Sequence, residues 1–444
     1  MKKADATVSD PSVRHPHCDI AVIGGGASGM AAAWYARRCL FNMNAEHMNV
    51  ALFERNQRLG KKLLMTGNGR CNLTNIECSI ERFHGNDVPF AQKALSLFSP
   101  ERIIAIMGEL GVECTIEKDG KVFPATLHSA SMLDALRLAL DENNVMQYSE
   151  TMIKSIVKTN GRFVLHSSDG KRFTASTVVI ATGGACAPAT GSDGNGYRLL
   201  SDFSHELTPP LPSIVQVRTE TGFVKPLAGN KIHGTASLLI NGVRIRSESG
   251  EILFTDYGLS GPPVLQLSGE ISRTLYNATV QGESPSISIE LDFLPEATPE
   301  EVTEMLRKRR AAFASRRLEE YLTGFFHRRL AYGLLKVAVK KPLSAITGDL
   351  TDEEICTLGD ACKRLPVVVK GTMSLAHAQT TAGGILTCDF DPCTMQSKLC
   401  AGIFACGEIL DIDGDCGGFN LHWAWASGFL AGESAAKTAM KSDG

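Results

Sequence analysis

At 444 residues the chain is too long for one simple core, so two or three domains are expected. Its 43% hydrophobic and 21% charged residues, with a net charge of −3, are ordinary for a globular protein and announce no polyanion partner. No apolar run reaches the roughly 18 residues of a spanning helix, and the 13 cysteines, with no CxxC pair, read as free thiols of a reducing cytosol, not zinc ligands or disulfides.

Residues 1–17 mix Lys, Asp, Ser, Pro and His without an apolar stretch, and read as a disordered leader and not a signal peptide. The apolar run Ile20-Ala21-Val22-Ile23 then meets Gly24-Gly25-Gly26-Ala27-Ser28-Gly29, a helical stretch from Met30 to Arg38, and a second apolar run, Val50 to Phe53, closed by Glu54. Strand, glycine turn, helix, strand and acid together form a dinucleotide-binding pattern. Gly24 permits the turn, Gly26 lets the backbone approach a pyrophosphate, and Gly29 lets the helix lie close on the strand. The helix N-terminus, at Ala27 and Ser28, offers free N–H groups to the phosphates. Glu54 accepts hydrogen bonds from a ribose and repels a 2′-phosphate.

Arg55 to Asn75 carries Gly60, Gly67 and Gly69 among Asn, Thr and Arg. No regular helix fits it, and a loop so rich in hydrogen-bonding groups is suited to run along an extended cofactor. Residues 91–140 read as helices with a break from Gly111 to Pro124. Strands follow at Thr151–Thr159, Arg162–His166 and Thr177–Ala181, the last ending in Thr182-Gly183-Gly184. A matching strand, Gly402 to Cys406, ends in Gly407-Glu408, so the nucleotide-binding sheet is interrupted by an insert. Alternation at Ile214–Val217, Ala236–Ile240 and Ile287–Phe293 predicts an antiparallel sheet or small barrel there. From Pro299 to Lys341 the pattern turns helical, and Val302–Lys341 holds eleven bases against three acids, a local net of +8. Such a run is usually a solvated face, but it keeps a polyanion partner in play.

The stretch Gly407 to Gly428 is the second strong signal. A Gly417-Gly418 turn leads into a helix rich in Ala, Ser and Gly, whose positive end suits the edge of a flavin where negative charge collects on reduction. Asp411, Asp413 and Asp415 lack the closing Glu of a calcium loop, since His422 stands there, and no metal is expected. The split sheet, the long loop and the returning helix favour FAD over NAD, and no second GxGxxG follows a strand. NAD(P)H, as candidate reductant, would reach the flavin without a Rossmann domain of its own.

Gly24-x-Gly26-x-x-Gly29, GNGRCNLTN (Gly67 to Asn75), ATGG (Ala181 to Gly184), LFTDYGLSGP (Leu253 to Pro262), TAGG (Thr381 to Gly384) and GEILDIDGDCGGFNLHWAWASG (Gly407 to Gly428) together resemble the YhiN/BaiN-like flavoproteins, the aminoacetone oxidase family, over nearly the whole chain from Cys18. The resemblance implies an α/β fold: a glutathione-reductase-like FAD-binding Rossmann domain, split in sequence, with an inserted antiparallel β-domain and a small helical domain. On this reading 18–202 and 381–444 form the FAD domain, 203–298 and 342–380 the β-domain, and 299–341 the basic helical domain. The family includes aminoacetone oxidases, reductases of conjugated double bonds in bile-acid intermediates, and enzymes that reduce an rRNA uridine to dihydrouridine. Its members often have His where this chain has Asp256.

The expected cofactor contacts are Gly24, Gly26, Ala27, Ser28, Gly29, Glu54, Arg55, Lys62, Gly67, Asn68, Met152, Thr182, Gly183, Gly184, Gly407, Glu408, Gly418, Asn420 and Leu421, with Glu408 on ribityl hydroxyls. The expected chemistry is two-electron transfer at flavin N5. Cys71 is the candidate acid, with Arg70 and Asn72 orienting substrate; alternatively Cys71 is a small residue packed under the flavin. The basic segment, 301–341, favours rRNA uridine as substrate. The alternatives are a conjugated enone, an amino ketone oxidised with O₂, and a non-catalytic flavin-binding protein.

Overall fold

The computed structural model describes residues 16–117 and 119–443, so the expected leader lies almost wholly outside the described residues. The chain divides into two compact units, Met1–Pro210 with Thr381–Gly444, and Leu211–Thr380.

The first unit is built on a seven-stranded sheet. Its strands run Met146–Tyr148, Val50–Phe53, His17–Ile23, Arg172–Ile180, Arg162–Ser167 and Ile153–Thr159 across the sheet, and Ile403–Ala405 also pairs with Arg172–Ile180. The pairs among the strands starting at 146, 50, 17, 172 and 403 are parallel. The hairpin Ile153–Ser167 adds antiparallel strands to one end of Arg172–Ile180, and Ile403–Ala405 takes the other end. That pairing joins the halves of the interrupted sheet across the insert. Ile20, Ala21 and Val22 have no exposed surface, as a continuous apolar run should in a parallel strand covered on both faces.

The first helix, Ala27–Asn42, packs on the C-terminal helix, Phe419–Asp443, at very close range. A Cβ at Gly432 would stand 2.3 Å from the Ala32 carbonyl oxygen, and one at Gly428 would stand 2.6 Å from that of Ser28. The small residues of the C-terminal helix therefore bring it backbone to backbone against the first helix. The break expected from Gly111 to Pro124 holds two short antiparallel strands, Cys114–Ile116 and Lys121–Pro124.

The second unit contains a closed antiparallel barrel of Val217–Thr219, Gly258–Ser260, Val243–Phe254, Lys231–Ile240, Ile287–Asp292 and Leu365–Thr372. Inward residues such as Leu238, Ile252, Phe254, Ile289 and Leu291 have no exposed surface. One hydrophobic cluster joins them to Val302, Leu306, Leu334 and Leu358 of the helices, so barrel and basic segment share a core. Two helices open on capping boxes, Thr298 with Glu301 and Thr351 with Glu354. The second box starts the helix Asp352–Lys363 within the stretch read from sequence as β.

Candidate cofactor site

The glycine turn stands at the carboxyl end of the first strand, where open α/β sheets bind ligands. Gly24 has a positive φ of +106°, and a Cβ there would stand 2.4 Å from the Ala181 carbonyl oxygen. Gly26 begins the helix with nothing within 4 Å of a built Cβ, so its backbone faces open space. Glu54, buried at the end of its strand, accepts from Gly25 N at 2.8 Å with one oxygen and from Asn56 N and Nδ2 at 2.7 Å with the other. The carboxylate thus braces the turn, and it retains lone pairs for a ribose. This open cradle, the acid beside it and a buried, unpartnered Thr182 Oγ1 fit the adenosine–pyrophosphate half of FAD.

Around it, Arg55 pairs with Asp193 at 2.7 Å, and Met152 Sδ meets Asn195 Nδ2 at 3.9 Å. Gly183 is held near Ser192, whose hydroxyl donates to the Gly184 carbonyl at 3.0 Å. Lys62, Glu408 and Cys186 form a cluster that sequence spacing did not indicate. Lys62 Nζ donates to Glu408 Oε2 at 2.6 Å and to Cys186 Sγ at 2.8 Å, and the thiol donates to Glu408 Oε1 at 3.0 Å. Thr381 N completes Glu408 at 2.9 Å. Burial alone would raise the Glu408 carboxyl, but the Lys62 charge and these donors hold it below the ordinary range. Burial, with Glu408 beside it, pushes the Cys186 thiol up to about 12, so it keeps its proton.

The GNGRCN loop runs left-handed at Gly67, Asn68, Gly69 and Cys71. Asn68 and Cys71 pay for this as non-glycine residues, which marks a constrained segment. Arg70 pairs with Glu117 at 2.8 Å and lies over the Phe123 ring at 4.2 Å. Asn72 is buried with Oδ1 unpartnered, and a Cβ at Gly418 would stand 2.9 Å from that oxygen. Cys71 has no exposed surface, and burial pushes its thiol up to about 12.

At the head of the C-terminal helix, Asn420 Oδ1 accepts from Gly414 N at 2.8 Å and its Nδ2 donates to Gly414 O at 2.7 Å, so it ties the loop. Gly407 N donates to Ser427 Oγ at 2.9 Å, and Leu421 packs on the core. Asp411 accepts from Asn86 Nδ2 at 2.6 Å. Among the described residues, no group of three His, Cys, Asp or Glu side chains is arranged to hold a metal ion, and no helix is long and apolar enough to cross a membrane. Among the described residues, which include all 13 cysteines, there is no disulfide.

His422, fully buried on the same helix, shares a 2.6 Å hydrogen bond between Nδ1 and Thr74 Oγ1, and burial lowers it to about 4. An unfolded histidine titrates near 6.5. The folded state therefore resists a proton that the unfolded state accepts, and stability falls as pH drops from about 6.5 toward 4, by about 1 kcal/mol per pH unit. Urea midpoints of wild type and His422→Asn between pH 7.5 and 5 are expected to diverge, the variant being flatter. Parallel slopes would exclude His422 as their source.

Residues 18–434 match the family described as HI0933-like protein Rossmann domain. The chain belongs to this family. It is an FAD-dependent oxidoreductase. Within its wider kin, the chain is 33% identical over 419 residues to a 3-dehydro-bile acid delta(4,6)-reductase of Clostridium scindens, covering 94% of this chain and 99% of that one. It is 26% identical to a ribosomal RNA dihydrouridine synthase of Escherichia coli, covering 94% and 97%. Among solved structures, a 3-ketosteroid-delta4-(5alpha)-dehydrogenase from Rhodococcus jostii superposes with a TM-score of 0.45 at 15% identity, covering 98% of this chain and 100% of that one. The sequence motifs missed Cys186, Thr381 and the buried His422 of this HI0933-like protein. Thr381 opens the TAGG motif, so that signal was available.

Proposed function

We propose that this HI0933-like flavoprotein reduces a carbon–carbon double bond conjugated to a carbonyl in a small molecule. The observation that carries the reading is the 33% identity, over almost the full length of both chains, to a bile-acid delta(4,6)-reductase. The basic segment supports it by its own wiring. Arg309 donates to the Tyr321 and Thr323 carbonyls, and Arg310 binds the Leu350 carbonyl and Asp352. Arg316 lies over Phe313 at 3.9 Å, and Lys341 pairs with Glu354. Arg310 and Lys341 thus meet carboxylates from beyond the segment, which lowers its local net from +8 to +6, and we rank rRNA second.

Gly24 to Gly29 and the first helix would hold the pyrophosphate, Glu54 the adenosine ribose, and Gly417-Gly418 with the head of the C-terminal helix the flavin end. FAD, when bound, supplies a hydride to the β-carbon, and NAD(P)H is the proposed reductant. Lys62, fixed by Glu408, keeps a positive charge in the site. Arg70, part-exposed, orients the substrate carbonyl, and Asn72 offers an acceptor. Cys71 has no exposed surface, so it has no path to a substrate carbon. It packs beneath the site, and the acid role passes to another group.

The test is anaerobic. Protein photoreduced in the absence of O₂ and mixed with a 3-keto-4,6-diene steroid is expected to reoxidise and to yield a product heavier by two hydrogens. No reoxidation by any enone, together with loss of dihydrouridine from the rRNA of a deletion strain, would replace this reading with the rRNA one. Rapid flavin reduction by an amino ketone, with O₂ consumed, would replace it with the oxidase.

A further inference from the structure

We propose that His84, held by Asp415, is the proton donor of this reduction; the inference rests on the enone reading. His84 lies in the short strand Phe83–His84, which pairs antiparallel with Asp413–Gly414. That partner strand sits between Gly407-Glu408 and Gly417-Gly418, so the histidine is fastened to the loop that leads into the C-terminal helix. His84 Nε2 lies 2.8 Å from Asp415 Oδ1. Asp415 is buried, its other oxygen faces Arg82 at 3.5 Å, and its N–H donates to the Arg82 carbonyl at 2.8 Å. An ionised carboxylate only accepts, so Nε2 carries the hydrogen. That assignment leaves Nδ1 as the proton-exchanging nitrogen. Nδ1 makes no hydrogen bond among the described residues, and the side chain is 32% exposed.

The competing donors are less well placed. Cys71 and His422 have no exposed surface, and Lys62 is committed to Glu408 and Cys186. The charged groups facing His84 are Asp415 and Arg82, with Asp413 across the strand pair. Asp415 fixes the ring and stabilises the imidazolium before transfer. In the step, the Nδ1 proton goes to the α-carbon while the hydride supplied by reduced flavin goes to the β-carbon. The C=C bond takes up two electrons and two hydrogens, and the neutral imidazole regains a proton from water. The flavin is reduced beforehand by a nicotinamide dinucleotide or by dithionite.

The experiment uses flavin-loaded wild type, His84→Gln and Asp415→Asn, each reduced with dithionite and mixed anaerobically with a 3-keto-4,6-diene steroid. His84→Gln is expected to slow reoxidation by about 10²-fold or more, with flavin content unchanged. A readout independent of turnover is ¹⁵N NMR of the histidine ring, which should show the Nε2–H tautomer in wild type and a mixture in Asp415→Asn. A wild type that reacts, with His84→Gln within threefold of it, overturns the assignment alone. A Nδ1–H tautomer in wild type does the same. A wild type that reoxidises with no enone overturns the enone reading and this step with it.

Discussion

Gly26→Val is expected to give a folded protein without flavin, whereas Gly29→Ala is expected to give one that barely folds. The two glycines belong to one fingerprint and differ in what surrounds them. Gly26 sits at φ −80° and ψ −170°, a conformation open to any residue, with nothing within 4 Å of a Cβ. A valine there costs the fold little, within about 0.5 kcal/mol, but it fills the space a pyrophosphate would take. Gly29 lies inside the first helix, where alanine would ordinarily gain about 1 kcal/mol. Its Cβ would instead stand 1.8 Å from the Gly24 carbonyl oxygen and 3.3 Å from Ala181 Cβ. Backbone cannot swing aside as a side chain can, so the helix must lift from the strand at a cost of about 3 kcal/mol or more. Flavin absorbance should show under a tenth of wild-type occupancy in Gly26→Val, with a melting temperature within about 2 °C of flavin-stripped wild type. Full occupancy in that variant would move the pyrophosphate elsewhere. An unchanged melting temperature in Gly29→Ala would contradict the close helix–strand contact.

What could be read from the sequence was what obeys local rules. The glycine turn, its flanking strands and Glu54 follow from spacing alone, and the barrel follows from alternation such as that of Ile287 to Phe293. The return of Ile403–Ala405 to the sheet was legible because both strands, 177–181 and 402–406, run into glycines, Gly183-Gly184 and Gly407. The helix Asp352–Lys363 was also there to be found, in the Thr351-x-x-Glu354 box, but the strand that follows it masked the change of period. Contacts made across the chain have no such signature. Lys62 meets Cys186 across 124 positions and Glu408 across 346, and no spacing announces either. The total burial of Cys71 is likewise a property of what folds over it, and residue type alone left acid and packing residue equally open.

The Lys62–Glu408 pair carries the other large expected effect. Lys62→Met should destabilise the protein by about 3 kcal/mol, near the low end for breaking a buried ion pair, because both side chains keep some access to water. The loss comes chiefly from what is left behind. Glu408 would retain the Cys186 thiol and Thr381 N as donors but no countercharge. Its carboxyl, now held low by Lys62, would rise, with burial opposed by those two donors alone. The sign follows for pH. A depressed carboxylate contributes stability above its unfolded value, near 4.5, and loses it as pH falls through the folded one. Lys62 is raised above its ordinary 10.5 by Glu408 and then Cys186, against burial, so its share persists until pH climbs past that value. Between these limits the pair is intact, and Lys62→Met should lose the acid-side dependence. Adding Glu408→Gln removes the stranded charge, so the double variant should recover 1 kcal/mol or more of the single variant's loss. Urea denaturation of the three flavin-stripped proteins at pH 7 measures this directly. A double variant no more stable than Lys62→Met would mean that the pair acts through packing of the lysine stem and not through charge.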